Sequence, residues 1–249
     1  MKAYAIFAVT TILLAAAESD LMRFGPGGAF QLEYSADSSG LLAHGVMERL
    51  ANGATKSYPL PQSSLETYAK LRPADLQRNP IAATGNQYER EETIGPHQLE
   101  GDKLWFGNNF YDSEGERGVG AFGYFDAATR QYRLFSPPEV APFEVSAILV
   151  EPNRVWLGLD YSSEDISTFP GGLAEWNRAT HTVHRYPIEF VVGKIERQGA
   201  SLRLTTREGY ALLTGASLHR FQVTTHTNGR VETRPIAKFP PPPSHHALL

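Results

Sequence analysis

The sequence predicts an all-β fold, a β-propeller of about five four-stranded antiparallel blades. Three observations lead there. Two stretches align without a gap at an offset of 51 residues: Trp105-Phe106-Gly107 returns as Trp156-Leu157-Gly158, Asp126 as Asn177, Thr129 as Thr180, and Phe135 as Tyr186. A supersecondary unit repeating at this period belongs to a propeller, a solenoid or an array. The composition is strand-like, with 11 Tyr, 13 Phe and 22 Gly and almost no long helical period. The clearest copy also reads as four antiparallel strands in sequence order, which is the plan of a propeller blade.

The chain opens Met1-Lys2-Ala3, continues with an apolar run over residues 4–17, and turns polar at Glu18-Ser19-Asp20. One positive residue, a short apolar core and an Ala15-Ala16-Ala17 step predict a secretory signal cleaved after Ala17. An uncleaved anchor is the competing reading, but the run falls short of the ~20 residues that span a bilayer. Cleavage would leave 232 of the 249 residues, ample for one large core. With no second apolar span, the mature chain is expected to be soluble. Residues 29–34 read as an early strand, expected to close a ring by pairing with the last blade.

Residues 40–61 follow as a hairpin: Gly45-Val46-Met47-Glu48-Arg49-Leu50, an Asn52-Gly53 turn, then Lys56-Ser57-Tyr58-Pro59. An Asn-Gly pair between apolar runs is a strong hairpin signal. Residues 62–97 are poorly patterned, and the stretch 64–71 reads as either a short helix or a degenerate blade edge. In the first clear copy, residues 104–107 are a second strand, 108–118 a long polar loop and 120–125 a third strand. Asp126-Ala127-Ala128-Thr129 is a turn, and 130–135 a fourth strand. The second copy has a first strand at 143–150 and the turn Glu151-Pro152-Asn153-Arg154, where Pro presets φ and Asn tolerates positive φ. Its second strand is 155–159, its long loop 160–170 and its third strand 171–176. The turn Asn177-Arg178-Ala179-Thr180 and a fourth strand at 181–186 complete it.

The pattern "Trp-x-Gly, loop, Gly-x-aromatic-Asp-x-x-Thr-x-x-aromatic" resembles blades of the two-component-regulator-type propellers and, more distantly, of the streptogramin-lyase type. The resemblance covers about 100 residues. It implies the propeller fold and no particular activity, since no motif here matches the lyases' catalytic histidine and glutamate. A weaker copy at 200–223 keeps the strands and lacks the long loop. Residues 18–238 are therefore expected to form the propeller domain. Residues 239–249, with Pro240-Pro241-Pro242-Pro243, are expected to be an extended tail outside the core.

The two long loops are the first candidates for recognition, because binding residues concentrate on loops held by a rigid scaffold. Tyr111, Asp112 and Glu114 in one, with Asp160, Tyr161 and Glu164 in the other, combine carboxylates with aromatics. That mixture suits a sugar, a peptide or a partner protein, and neither loop has calcium-loop spacing. His97 and Glu100 are the only candidate pair for acid–base work, entering on the first strand of the first copy. An ordinary loop histidine is the plainer reading. Trp105, Trp156 and Trp176 occupy repeat-related positions and are expected to fill interfaces between blades.

Zero cysteines exclude disulfides and thiolate–metal chemistry, and no metal or cofactor is expected. A net charge of −4 argues against nucleic acid or an anionic membrane as partner. No nucleophile elbow, phosphate loop or zinc-helix motif occurs. The expected function is an exported binding module in the periplasm or outside the cell, recognising a carbohydrate, peptide or protein at a channel mouth. The alternative is a lyase or hydrolase acting at the same face.

Overall fold

A computed structural model describes residues 22–37, 40–61, 91–111, 121–163 and 166–239. The protein is all-β and antiparallel. The N-terminal unit is a meander of β1 (Arg23–Phe24), β2 (Phe30–Asp37), β3 (Gly40–Arg49) and β4 (Thr55–Pro59). The first repeat unit consists of β5 (Glu91–Glu100), β6 (Lys103–Tyr111), β7 (Ala121–Asp126) and β8 (Gln131–Phe135). A single bridge, Ala43 to Ile94, joins these two groups into an eight-stranded sheet. The second repeat unit is a separate four-stranded sheet of β9 (Glu144–Glu151), β10 (Arg154–Ser163), β11 (Ile166–Asn177) and β12 (Val183–Tyr186). The third unit has five strands: β13 (Lys194–Gln198), β14 (Ser201–Thr205), β15 (Gly209–Thr214), β16 (Ser217–Thr225) and β17 (Val231–Ile236). Four groups of strands thus occur among the described residues. The expected signal at 1–17 and residues 62–90 of the weakly patterned stretch 62–97 lie outside them; the rest of that stretch, 91–97, belongs to β5.

Three apolar clusters fill the seams between successive units. Phe24, Phe30, Leu104, Phe106 and Phe125 pack between the N-terminal and first units. Trp105, Phe122, Val155, Leu157 and Trp176 pack between the first and second. Trp156, Leu173, Phe190, Leu202 and Leu213 pack between the second and third. Adding 51 to a residue number moves a side chain one seam along. Leu104, Phe106 and Phe125 of one seam become Val155, Leu157 and Trp176 of the next, and Trp105 and Phe122 become Trp156 and Leu173. Alternation along each strand causes this, since neighbouring residues face opposite seams. Trp105 and Trp156 are 1% and 4% exposed at matching seams, as the repeat requires.

The turns repeat atom for atom. Asp126 Oδ1 accepts from the amides of Ala128 and Thr129 at 2.9 and 3.2 Å. Asn177 Oδ1 accepts from Ala179 and Thr180 at 2.9 and 3.0 Å. Such side-chain caps stand in for backbone turn bonds. They precede Arg130 and His181, the two non-glycine residues with positive φ among the described residues, at 57° and 60°. Two glycines set the approach of neighbouring units. A Cβ on Gly107 would lie 2.5 Å from Val145 Cβ, and one on Gly158 would lie 2.7 Å from the Val192 carbonyl oxygen.

Several expectations change. The strand expected to close the ring at 29–34 is β2, and it pairs with β1 and β3 of its own unit. The polar loops are shorter than the sequence suggests. β6 runs on to Tyr111, while β10 and β11 stay paired out to Ser163 and Ile166, so 160–170 is largely a hairpin arm. The error came from equating polarity with loop. Asn108, expected in a solvated loop, is fully buried, where it donates to Glu92 at 2.8 Å. Phe239, expected in the tail, is 5% exposed and packs edge-on to Phe190, ring centroids 5.0 Å apart.

Candidate functional site

Each repeat unit has two ends. At the arm end, β6 and β10 extend beyond the seam cores; at the other, tight turns join the strands. The recognition candidates belong to the arm end. Tyr111 closes β6 opposite Glu91, and Tyr161 pairs with Phe169 across the β10–β11 arm. Asp160 stands at the arm's base, opposite both Pro170 and Glu144. Asp112, Glu114 and Glu164 lie outside the described residues.

His97 and Glu100, the acid–base candidates, are not brought together. Three residues apart on β5, they project to opposite faces. His97 is exposed, with Nδ1 2.9 Å from the Gly95 carbonyl oxygen. Glu100 faces the second unit and is fully engaged there. Arg178 grips both its carboxylate oxygens at 2.6 and 2.8 Å, and Trp105 Nε1 donates at 2.9 Å. The Arg178 hydrogen bonds, with a smaller contribution from Trp105, hold the Glu100 carboxyl below the usual glutamate range against the opposing effect of burial. A carboxyl held ionised in this way clasps a seam and makes a poor proton donor.

This clasp recurs at the turn end of each of the three seams among the described residues. At the next one Glu151, the 51-residue counterpart of Glu100, accepts from Trp156 Nε1 at 2.9 Å and from Arg197 Nε and Nη2, both at 2.8 Å. At the preceding one Glu48 accepts from Arg130 Nε and Nη2 at 3.0 and 2.8 Å and from the Tyr58 hydroxyl at 2.7 Å. These bonds hold the Glu48 carboxyl down to about 2, the Arg130 bonds first. Glu175 repeats the glutamate–tyrosine half of the Glu48 arrangement within a Gly-x-x-Glu…Tyr-Pro pattern, its arginine coming from its own sheet. Arg154 donates to it at 2.8 Å and the Tyr186 hydroxyl at 3.1 Å. Gln98 adds a further tie across the seam between the first and second units, its amide bonding both the nitrogen and the oxygen of Val150, at 2.9 and 3.1 Å.

One seam is not filled at this end. A cleft of about 500 Å³ opens between the second and third units, large enough for a small ligand. Its cause is local. Between the first and second units, Arg178, from the five-residue connection 178–182 between β11 and β12, lies over the Trp105 ring at 5.0 Å and closes onto Glu100. The corresponding turn of the third unit is only Gly215-Ala216, Gly215 at φ 57°, and carries no arginine. Trp156, Tyr186 and Arg154 line one wall of the space left over; Leu202, Leu213 and Arg197 line the other.

Sequence reasoning missed this cleft and its charges. Glu-x-x-x-x-Trp occurs at 100–105 and again at 151–156, a legible signal for the clasps. The arginines gave none, because Arg178 and Arg197 come from non-equivalent positions. Among the described residues, no group of three or more His, Asp or Glu is placed to hold a metal ion. No protein-family model matches the chain, and no curated protein matches it in sequence.

Proposed function

We propose that this chain is an exported β-propeller binding module that recognises a carbohydrate, peptide or protein through its arm end. The observation that carries the reading is the seam-by-seam advance of 51 residues. Sheets that meet their neighbours through repeat-equivalent faces, with β5 against β9 and β9 against β13, are the arrangement expected of blades fanned about an axis. Arms from successive units would then share one end, with Tyr111 closing β6 and Asp160 and Tyr161 on β10; Asp112, Glu114 and Glu164 belong to the same proposed site and lie outside the described residues. Export rests on the signal expected at 1–17, with the periplasm or the exterior as destination. Binding is favoured over a lyase or hydrolase activity because Glu100, half of the acid–base pair which that activity would use, serves as a clasp ionised by Arg178.

The test is to probe glycan and peptide arrays with residues 18–249 and with the Tyr111→Ala/Tyr161→Ala double variant. The reading expects at least one ligand class bound by the parent chain and lost from the variant. Retention of every ligand by a folded variant would sink the arm site.

A further inference from the structure

We infer a second ligand site at the opposite end from the arms: the cleft between the second and third units takes a carboxylate-bearing small molecule, of about dipeptide or disaccharide size. It stands apart from the arm-end reading and survives if that reading fails.

Three features define the ligand. The first is charge. The lining holds two guanidinium groups, Arg154 and Arg197, against one carboxylate, Glu151. These arginine side chains are 42% and 36% exposed, whereas the glutamate is 20% exposed. The second is unused donors. Arg197 spends Nε and Nη2 on Glu151, and Arg154 spends Nη1 on Glu175, with Nε 3.8 Å from Glu151. Among the described residues Nη1 of Arg197 and Nη2 of Arg154 make no hydrogen bond, which leaves their N–H groups for a guest, and a guanidinium pair suits a planar carboxylate better than any neutral group. Glu151 and Glu175 hold the two arginines in place beforehand, so little side-chain entropy is lost on binding. The third is the body of the cleft, where Leu202, Leu213 and the Tyr186 ring offer apolar surface beside the charged rim. The preceding seam shows why the space exists: there the chain supplies its own guanidinium, Arg178, over the tryptophan.

A carboxylate on an aromatic or aliphatic body and a carboxylate on a sugar share this chemistry, and two probes separate them. N-acetylphenylalanine and digalacturonate are each titrated calorimetrically into the full mature chain, beside their uncharged counterparts, N-acetylphenylalaninamide and galactobiose. The expected result is saturable binding of at least one acid, with its neutral counterpart about tenfold weaker or more, a gap fitting one charge-assisted contact. Binding should weaken as salt rises. Ala200→Glu places a carboxylate at the exposed rim and breaks no clasp; it should weaken the acid at least tenfold at unchanged melting temperature. Arg154→Gln should also weaken the acid and leave the neutral counterpart unaffected. No binding by either acid, equal binding by a neutral counterpart, or full binding by folded Ala200→Glu each overturns the inference.

Discussion

Replacing Trp105 with alanine tests the seam arrangement most directly. The side chain is 1% exposed, its ring centroid lies 4.7 Å from that of Tyr124 and 6.2 Å from that of Trp176, and Arg178 covers it at 5.0 Å. Burying roughly 200–250 Å² of aromatic surface at about 25 cal/mol/Å² sets a ceiling of about 5–6 kcal/mol. Truncations of buried aromatics cost about 3–5 kcal/mol. Loss of the indole N–H removes one of three hydrogen bonds to Glu100, adding about 1 kcal/mol. The expected cost of Trp105→Ala is therefore about 4–6 kcal/mol, a large share of the ~5–15 kcal/mol that holds a domain folded. Trp105→Phe keeps most ring contact and should cost about 1–2 kcal/mol by the same reasoning. Trp156→Ala should fall somewhat below Trp105→Ala, because Trp156 borders the cleft. Urea unfolding followed by far-UV circular dichroism measures all three, with Val231→Ala at a 61% exposed site as the control expected within about 0.5 kcal/mol of the parent. If Trp105→Ala costs no more than that control, Trp105 does not fill a seam and the repeat argument falls.

Three further outcomes follow from the same packing. Glu48 is held down to about 2 from an ordinary 4.5, so its contribution to stability is complete above about pH 4.5 and is lost as pH falls toward 2. Melting temperature recorded between pH 6 and pH 2 should show a shallower acid limb for Glu48→Gln; superimposable profiles would remove Glu48 from the acid response. Gly107→Ala forces a Cβ to 2.5 Å from Val145 Cβ, and Gly158→Ala forces one to 2.7 Å from the Val192 carbonyl oxygen. Both should destabilise by about 1–3 kcal/mol, since a β-carbon and a carbonyl oxygen each move only with their backbone; a stabilised variant in urea melts would contradict the close approach. Phe239→Ala should cost about 3–5 kcal/mol, and a neutral result would return Phe239 to the tail.

The repeat shows how far residue order alone reaches. Trp105 and Trp156 were legible as interface residues because alternation along a strand fixes which neighbour a side chain faces, a property of single chains. The Asp126 and Asn177 turns were legible for the same reason: a short polar side chain caps its own backbone two and three residues on. Polarity misled at Asn108, which is buried against Glu92, and at 160–170, where a hairpin arm satisfies its backbone through its own pairing. Phe239 was misread because the prolines after it dominate the local pattern.

What the linear order determined is the repeating strand unit, its 51-residue period and the residues that meet at each seam, all set by local alternation and turn chemistry. Which glutamate meets which arginine was decided only by tertiary structure. Arg130, Arg178 and Arg197 reach Glu48, Glu100 and Glu151 from non-equivalent positions, 82, 78 and 46 residues away. The cleft beside Trp156 is likewise a property of the assembled units, because it exists where a two-residue turn in one sheet fails to cover the face of the next.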